Sequence, residues 1–197
     1  MSTIQARPTA GRVRLTVDEF AQMLDAGLFE GRHVQLLDGE LYEVTKNPPH
    51  NFAVSALADA LRSLLPRDEY SIREEKSIEP WPYWWPEPDI VIVRGPQRRY
   101  ADHHPGAGDL ALVIEVSDTS EQDWTKKLIG YAAAGFSVYW ILDLNLRRLE
   151  IHGDPGPSGY MVEEIVPEGQ SFELVIDDRS FGRIAVSEFL PNAVQSD

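Results

Sequence analysis

Three side chains, Asp89, Glu115 and Lys127, have the types and surroundings that metal-assisted hydrolysis of a phosphodiester needs. Asp89 opens one short run rich in Val and Ile (residues 89–93), and Glu115 lies near the end of another (residues 110–116). Each carboxylate is therefore expected at the end of a buried strand. A buried carboxylate is costly unless paired, hydrogen-bonded or bound to metal, and two on neighbouring strands repel unless a proton or cation lies between them. A divalent cation satisfies both at once. Downstream, residues 121–134 have helical character, with Asp123, Lys127 and Tyr131 at i, i+4 and i+8 on one stripe. That stripe carries an ammonium over the end of the strand holding Glu115. Two acids and the Val116 carbonyl to hold Mg²⁺ or Mn²⁺, with a lysine to orient a water or offset developing charge, form a set suited to phosphodiester cleavage.

The elements that must position these groups can be read around them. Gly135 ends the helix, SVYWILDL follows as a buried strand, and Asp143 and Asn145 turn the chain into RRLEIH as a hairpin. Upstream, Thr16 and Glu19 form a capping box before Phe20, Met23, Leu24 and Leu28, which predicts a helix over 17–28 ended at Gly27. HVQLLDGELYEV is a hairpin about Asp38-Gly39. Pro48-Pro49 stops its second arm, and residues 50–65 form a helix with one apolar side. His50, at its start, reads as a cap or surface residue whose imidazole can carry protons near neutral pH. Residues 69–79 are strand-like. The following PWPYWWPEPD cannot be a central strand. It is expected to be a rigid loop whose Trp81, Tyr83, Trp84 and Trp85 cap the core or an interface, the alternative being a stacking platform for bases. Arg94, Arg98 and Arg99 are the phosphate-contact candidates, against ordinary surface charge. Residues 117–120 form the turn that caps the 121–134 helix. Beyond Gly153, GYMVEEIV and FELVI are strands and SEFL a short segment, finishing the sheet edge and supplying an oligomer contact.

Several of these pieces carry a family likeness. LLDGELYEV (36–44), Pro48-Pro49-His50, PDIVIV, VIEVSDTS, DWTKKLIGY and AGFSVYWILD cover, in that order, most of residues 32–152. Together they resemble the Uma-type restriction endonuclease family, a bacterial group within the PD-(D/E)XK nuclease superfamily. The resemblance implies an α+β, restriction-endonuclease-like core: a central mixed β-sheet flanked by the two helices, with added β-hairpins at both ends. It implies Asp89 and Glu115 as metal ligands and Lys127 as the catalytic lysine. It also makes Glu40 an additional acid of the site, although on the sequence alone Glu40 is a solvated hairpin acid, and it makes His50 a nearby polar residue. The chain departs from the superfamily pattern at Ser117, two residues after Glu115, where a lysine would stand. The resemblance moves that lysine to the following helix. Lys126 is adjacent, and the face shared with Asp123 and Tyr131 favours Lys127.

Composition sets the outer limits. With 197 residues the chain fits one domain: a disordered leader over 1–12, then a nuclease-like unit over 13–197 with its core at 32–152 and a β extension at 153–197. The absence of cysteine excludes disulfides, thiolate metal sites and cysteine nucleophiles. The first residues lack the apolar core of a signal peptide and no apolar run is long enough to span a membrane, so a cytoplasmic location is expected. The net charge of −14 argues against tight nucleic-acid binding. Residues 150–197 hold ten acids and two bases, so much of that charge sits outside the core. Weak, salt-sensitive DNA binding is expected, by a homodimer with one site per strand. The competing reading is a non-catalytic protein-interaction module that keeps the nuclease fold; the charge favours it and the Asp89, Glu115, Lys127 trio opposes it. A hydrolase of small phosphoesters is disfavoured by the lack of a phosphate-binding Gly loop.

Overall fold

The computed structural model describes residues 12–118 and 121–192. The proposed leader (1–12) lies almost wholly outside these, as do Thr119 and Ser120 of the expected capping turn. The first helix, α1 (Val17–Asp25), begins with the capping box, Thr16 and Glu19 each accepting from the other's backbone N–H. Strands β1 (Val34–Leu37) and β2 (Glu40–Glu43) pair about Asp38 and Gly39. Both turn residues have positive φ, 53° and 77°, as the tight hairpin requires.

Helix α2 (Pro48–Leu64) corrects the reading of its two prolines. They open the helix rather than merely stopping the strand, because first-turn residues have no intrahelical use for their N–H. Asn47 caps it, accepting from the His50 N–H at 3.0 Å.

The central sheet runs β3 (Tyr70–Glu74), β4 (Ile90–Arg94), β5 (Leu110–Ser117), β6 (Val138–Asp143), β7 (Arg148–Gly156), β8 (Gly159–Pro167), in that spatial order. Only β5 and β6 are parallel. A parallel pair needs a long crossover, and residues 118–137 supply it. Their helix is not one regular α-helix: a π-helical turn over Asp123–Lys127 leads into α3 (Leu128–Ala133). Asp143 closes β6 by accepting from the Asn145 and Leu146 N–H groups at 3.0 and 2.9 Å.

The period of two along each strand sorts the core into two layers. Ile90, Ile92, Leu112, Ile114, Trp140 and Leu142 face α2, with Leu57 and Leu61 upon them. Val91, Val93, Val113, Tyr139 and Ile141 face the other way, beneath Tyr131 and Phe136. Each fully buried aliphatic side chain stabilises by about 1.5–3 kcal/mol. Asp89 shares the alternation of Val91, and Glu115 that of Val113, so both carboxylates belong to the α3 side.

The aromatic loop caps that second layer. Trp81 and Trp84 stack with centroids 5.4 Å apart and pack on Tyr131 and Phe136. A Cβ on Gly130 would overlap the Trp84 ring, so glycine admits the loop to α3. Trp85 meets Phe20 edge-on, and the Arg14 guanidinium lies over the Tyr83 ring at 4.1 Å, so all four rings are engaged within the chain, which favours the core-capping reading over the base-stacking one.

The tail holds one more strand than the sequence suggested. Strands β9 (Ser171–Ile176) and β10 (Arg179–Ala185) form a separate hairpin whose Phe172, Leu174 and Ile184 complete the α2-side core. Its turn, Asp177-Asp178, reaches positive φ at both positions without a glycine, and so carried no clear turn signal. No helix among the described residues is long and apolar enough to cross a membrane.

Candidate active site

Strand pairing creates the site. Ile90 lies opposite Ile114, so Asp89, just before β4, is brought beside Glu115. The β5–β6 crossover leaves from the same end, and its first turn lays Asp123 and Lys127 over the Glu115 carboxylate. Lys127 Nζ is 2.8 Å from Glu115 Oε2 and 3.0 Å from Asp123 Oδ1. Tyr131, one turn further, donates to Glu115 Oε1 at 2.9 Å. The Val116 N–H donates to Asp89 Oδ2 at 2.8 Å, and His50 Nε2, from the first turn of α2, lies 3.2 Å from the same oxygen.

All of these ionisable groups are buried, with Glu115 and Asp123 each only 2% exposed. Burial, reinforced by Asp89 and Asp123 against the pull of Lys127, pushes the Glu115 carboxyl up to about 8. Burial works against the Lys127 ammonium too, but Asp123, Glu115 and Asp89 outweigh it and raise its pKa. For Asp89 the cost of burial is overcome by His50, Lys127 and the Val116 N–H, which hold its carboxyl below the usual range. His50 is raised in turn, burial being outweighed by Asp89.

These groups line a cavity of about 320 Å³ whose wall also includes Gln35, Tyr42, Lys46, Asn47, Glu87 and Asp118. The residues present suit a hard divalent cation. Asp89, Glu115 and Asp123 supply carboxylate oxygens, the donors Mg²⁺ and Mn²⁺ prefer. Asp123 Oδ1, though 3.0 Å from Lys127 Nζ, completes no hydrogen bond. His50, Glu75 and Asp89 also place ligand-type atoms within 4.8 Å of one another.

Five of the residues singled out from the sequence therefore converge: Asp89, Glu115, Val116, Lys127 and His50. Glu40 stands apart from them. It accepts from Lys126 Nζ at 2.6 Å and from the Tyr42 hydroxyl at 2.9 Å, and it is Tyr42 that faces the cavity. The two adjacent lysines thus part ways, Lys127 into the buried cluster and Lys126 to Glu40. Arg94, Arg98 and Arg99 do not reach the cavity. Arg94 ends β4, five residues from Asp89 and so roughly 16 Å away along the strand. Its guanidinium holds Asp177 at 2.9 Å and the Leu110 carbonyl at 2.8 Å. Arg99 holds Asp109 at 2.6 Å, and Arg98 is exposed on the same loop.

Three acids were missed as members of the cluster. Asp123 served the sequence reading only to mark a helical face, yet its spacing from Lys127 was the available signal. Asp118 is held by Asn47 at 2.6 Å, a contact between positions 71 residues apart that no local pattern reveals. Glu75 reaches Asp89 because its N–H donates to the Asp89 carbonyl at 2.9 Å, extending the β3–β4 pairing.

A mixed sheet with one parallel crossover, and buried acids and a lysine gathered where that crossover leaves the sheet, defines a nuclease-like protein. The chain belongs to the Uma2 family, described as "Putative restriction endonuclease", which matches residues 17–181. A similar solved structure is that of a protein from Anabaena variabilis, described as a "putative nuclease belonging to DUF820". The likeness has a TM-score of 0.69 at 15% identity over 89% of this chain and 97% of that one, and at that identity it speaks for the fold. No curated protein matches the chain.

Proposed function

We propose that this protein is a Mg²⁺- or Mn²⁺-dependent endonuclease hydrolysing phosphodiester bonds of DNA. The observation that carries the reading is the contact of buried Lys127 with Glu115 beside Asp89. Asp89 and Glu115, with the Val116 carbonyl, would hold the ion. When bound, a divalent ion supplies Lewis-acid activation of water and neutralises charge at the scissile phosphate. Lys127 has three N–H donors with which to orient the attacking water and meet the charge developing on the phosphoryl oxygens. Asp123 and Tyr131 position that chemistry: Asp123 holds the ammonium and Tyr131 fixes the Glu115 carboxylate. Glu40, through Lys126, steadies the turn carrying Lys127. Cations around the cleft are already paired, Lys46 with Glu75 at 3.1 Å and Arg32 with Glu43 at 2.7 Å, which supports weak, salt-sensitive DNA binding. Cleavage of both strands of a duplex calls for two copies of the chain, one site per strand.

The test is plasmid nicking with Mg²⁺ or Mn²⁺ by wild type, Asp89→Ala and Lys127→Ala. Wild type nicks, and each variant loses at least about a hundredfold, the lower range for removing a positioned proton-handling group. Equal activity in all three would assign the cleavage to a contaminant. Clean wild type without activity under any divalent ion would favour the non-catalytic interaction module that the acidic surface suits.

A further inference from the structure

We propose that Glu150, His152 and Glu163 form a second cation site, distinct from the nuclease cleft, that takes a transition-metal ion of the Zn²⁺ type. Glu150 and His152 are two residues apart on β7 and so share a face, and His152 lies opposite Glu163 of β8 in the strand register. One imidazole nitrogen and two carboxylate oxygens come within 4.8 Å of one another. None of the three lines the nuclease cleft.

The site is built rather than incidental. Glu150 is 2% exposed, and its carboxylate is fixed from both sides, Arg148 donating to Oε1 at 2.5 Å and Trp124 Nε1 to Oε2 at 2.8 Å. Such partners orient a metal-binding carboxylate. The His152 ring is 5% exposed and lies beside Tyr139 and Tyr160, with centroids 6.1 Å from each. Its Nε2 points at Glu150, 3.4 Å from Oε2, and completes no hydrogen bond. A buried ring nitrogen that faces a carboxylate without completing a hydrogen bond to it calls for an explanation such as an ion held between them. Glu163 is exposed and provides the open side through which an ion would enter and water would complete its shell. Imidazole with carboxylate suits Zn²⁺, whereas Mg²⁺ prefers a shell of oxygens. The nuclease cleft offers an imidazole as well, His50 beside Glu75 and Asp89, so saturating Mg²⁺ and an Asp89 variant are what separate the two sites.

The test uses the metal-free full chain in saturating Mg²⁺, titrated with Zn²⁺ against a chromophoric chelator and with Co²⁺ by visible absorption. Wild type, Glu163→Gln and Asp89→Asn are compared, with circular dichroism to show that each is folded. The expected result is one Zn²⁺ per chain, retained in Asp89→Asn and weakened at least about tenfold in Glu163→Gln, the loss that disturbing even an outer partner commonly causes. Because Glu163 is exposed, its substitution leaves the core intact. The proposal is overturned if wild type binds no Zn²⁺, if Glu163→Gln binds it unchanged, or if Asp89→Asn abolishes binding. No arm reads cleavage, so the outcome stands apart from that of the nuclease reading.

Discussion

Magnesium binding should release a proton near neutral pH, because Glu115 holds one until about pH 8. A ligating carboxylate must be ionised. A carboxyl with that pKa is about 90% protonated at pH 7 and about 10% at pH 9, so binding should release roughly 0.9 and 0.1 protons respectively. Removing the proton at pH 7 costs about 1.4 kcal/mol, so the apparent affinity should rise about tenfold from pH 7 to pH 9. Isothermal titration in pairs of buffers with different protonation enthalpies measures both quantities. Glu115→Gln removes that carboxyl and should bind more weakly with a shallower pH profile, which becomes flat when His50→Gln also removes the imidazole raised beside Asp89. An unchanged wild-type affinity between pH 7 and 9, or a Glu115→Gln variant that keeps the slope, would refute the assignment. The same shift governs the metal-free protein. The folded value is raised from 4.5 to about 8, so this contribution to stability is complete below pH 4.5 and lost as the pH rises through 8. The melting temperature should fall over that window, and saturating Mg²⁺ should restore it.

Three further outcomes follow from packing. Gly130→Ala would drive a methyl into the Trp84 ring; overpacking of this kind costs about 1–3 kcal/mol, or roughly 2–12 °C in melting temperature for a chain of this size. Asn47→Ala removes the α2 cap that receives the His50 N–H, and should cost about 1 kcal/mol in denaturant melts. Lys127→Met leaves the buried Asp123 carboxylate without its ammonium and should lower the melting temperature by roughly 6–20 °C, whereas Lys126→Met breaks a partly exposed pair and should cost no more than about 4 °C. Equal shifts in the two lysine variants would erase the distinction between them.

What could be read in advance was whatever is written locally. The Asp38-Gly39 turn, the capping box at Thr16 and the alternation in β4 and β5 are short-range signals, and each gave its element. The stripe from Asp123 to Tyr131 gave the face of the crossover, although the π turn within it was hidden: nothing in the residue types marks where i→i+5 bonds replace i→i+4. Arg94 failed for a different reason. Its type suits phosphate, but strand direction decides which end of β4 it occupies, and its partner Asp177 lies 83 residues away. β10 failed because its turn lacks glycine. Asp118 and Glu75 depend on contacts that form only once the sheet and α2 are assembled.

The charge balance, which argues against nucleic acid as a partner when taken over the whole chain, has a narrower meaning in the cleft. Its wall carries Glu43, Glu87, Asp89, Glu115, Asp118 and Asp123, against Lys46 and Lys127. Lys127 is committed to Glu115 and Asp123, and Lys46 to Glu75. Arg32 pairs with Glu43 and His50 with Asp89, which offsets part of the wall's charge, but the carboxylates outnumber these cations and a phosphodiester still meets net repulsion. The proton on Glu115 relieves part of it, and a divalent ion replacing that proton relieves more while giving the phosphate something to coordinate. Under the nuclease reading the acidic cleft makes substrate binding depend on the metal, so ion and nucleic acid should bind with positive coupling. Each lowers the electrostatic cost of admitting the other, and by linkage the gain is reciprocal.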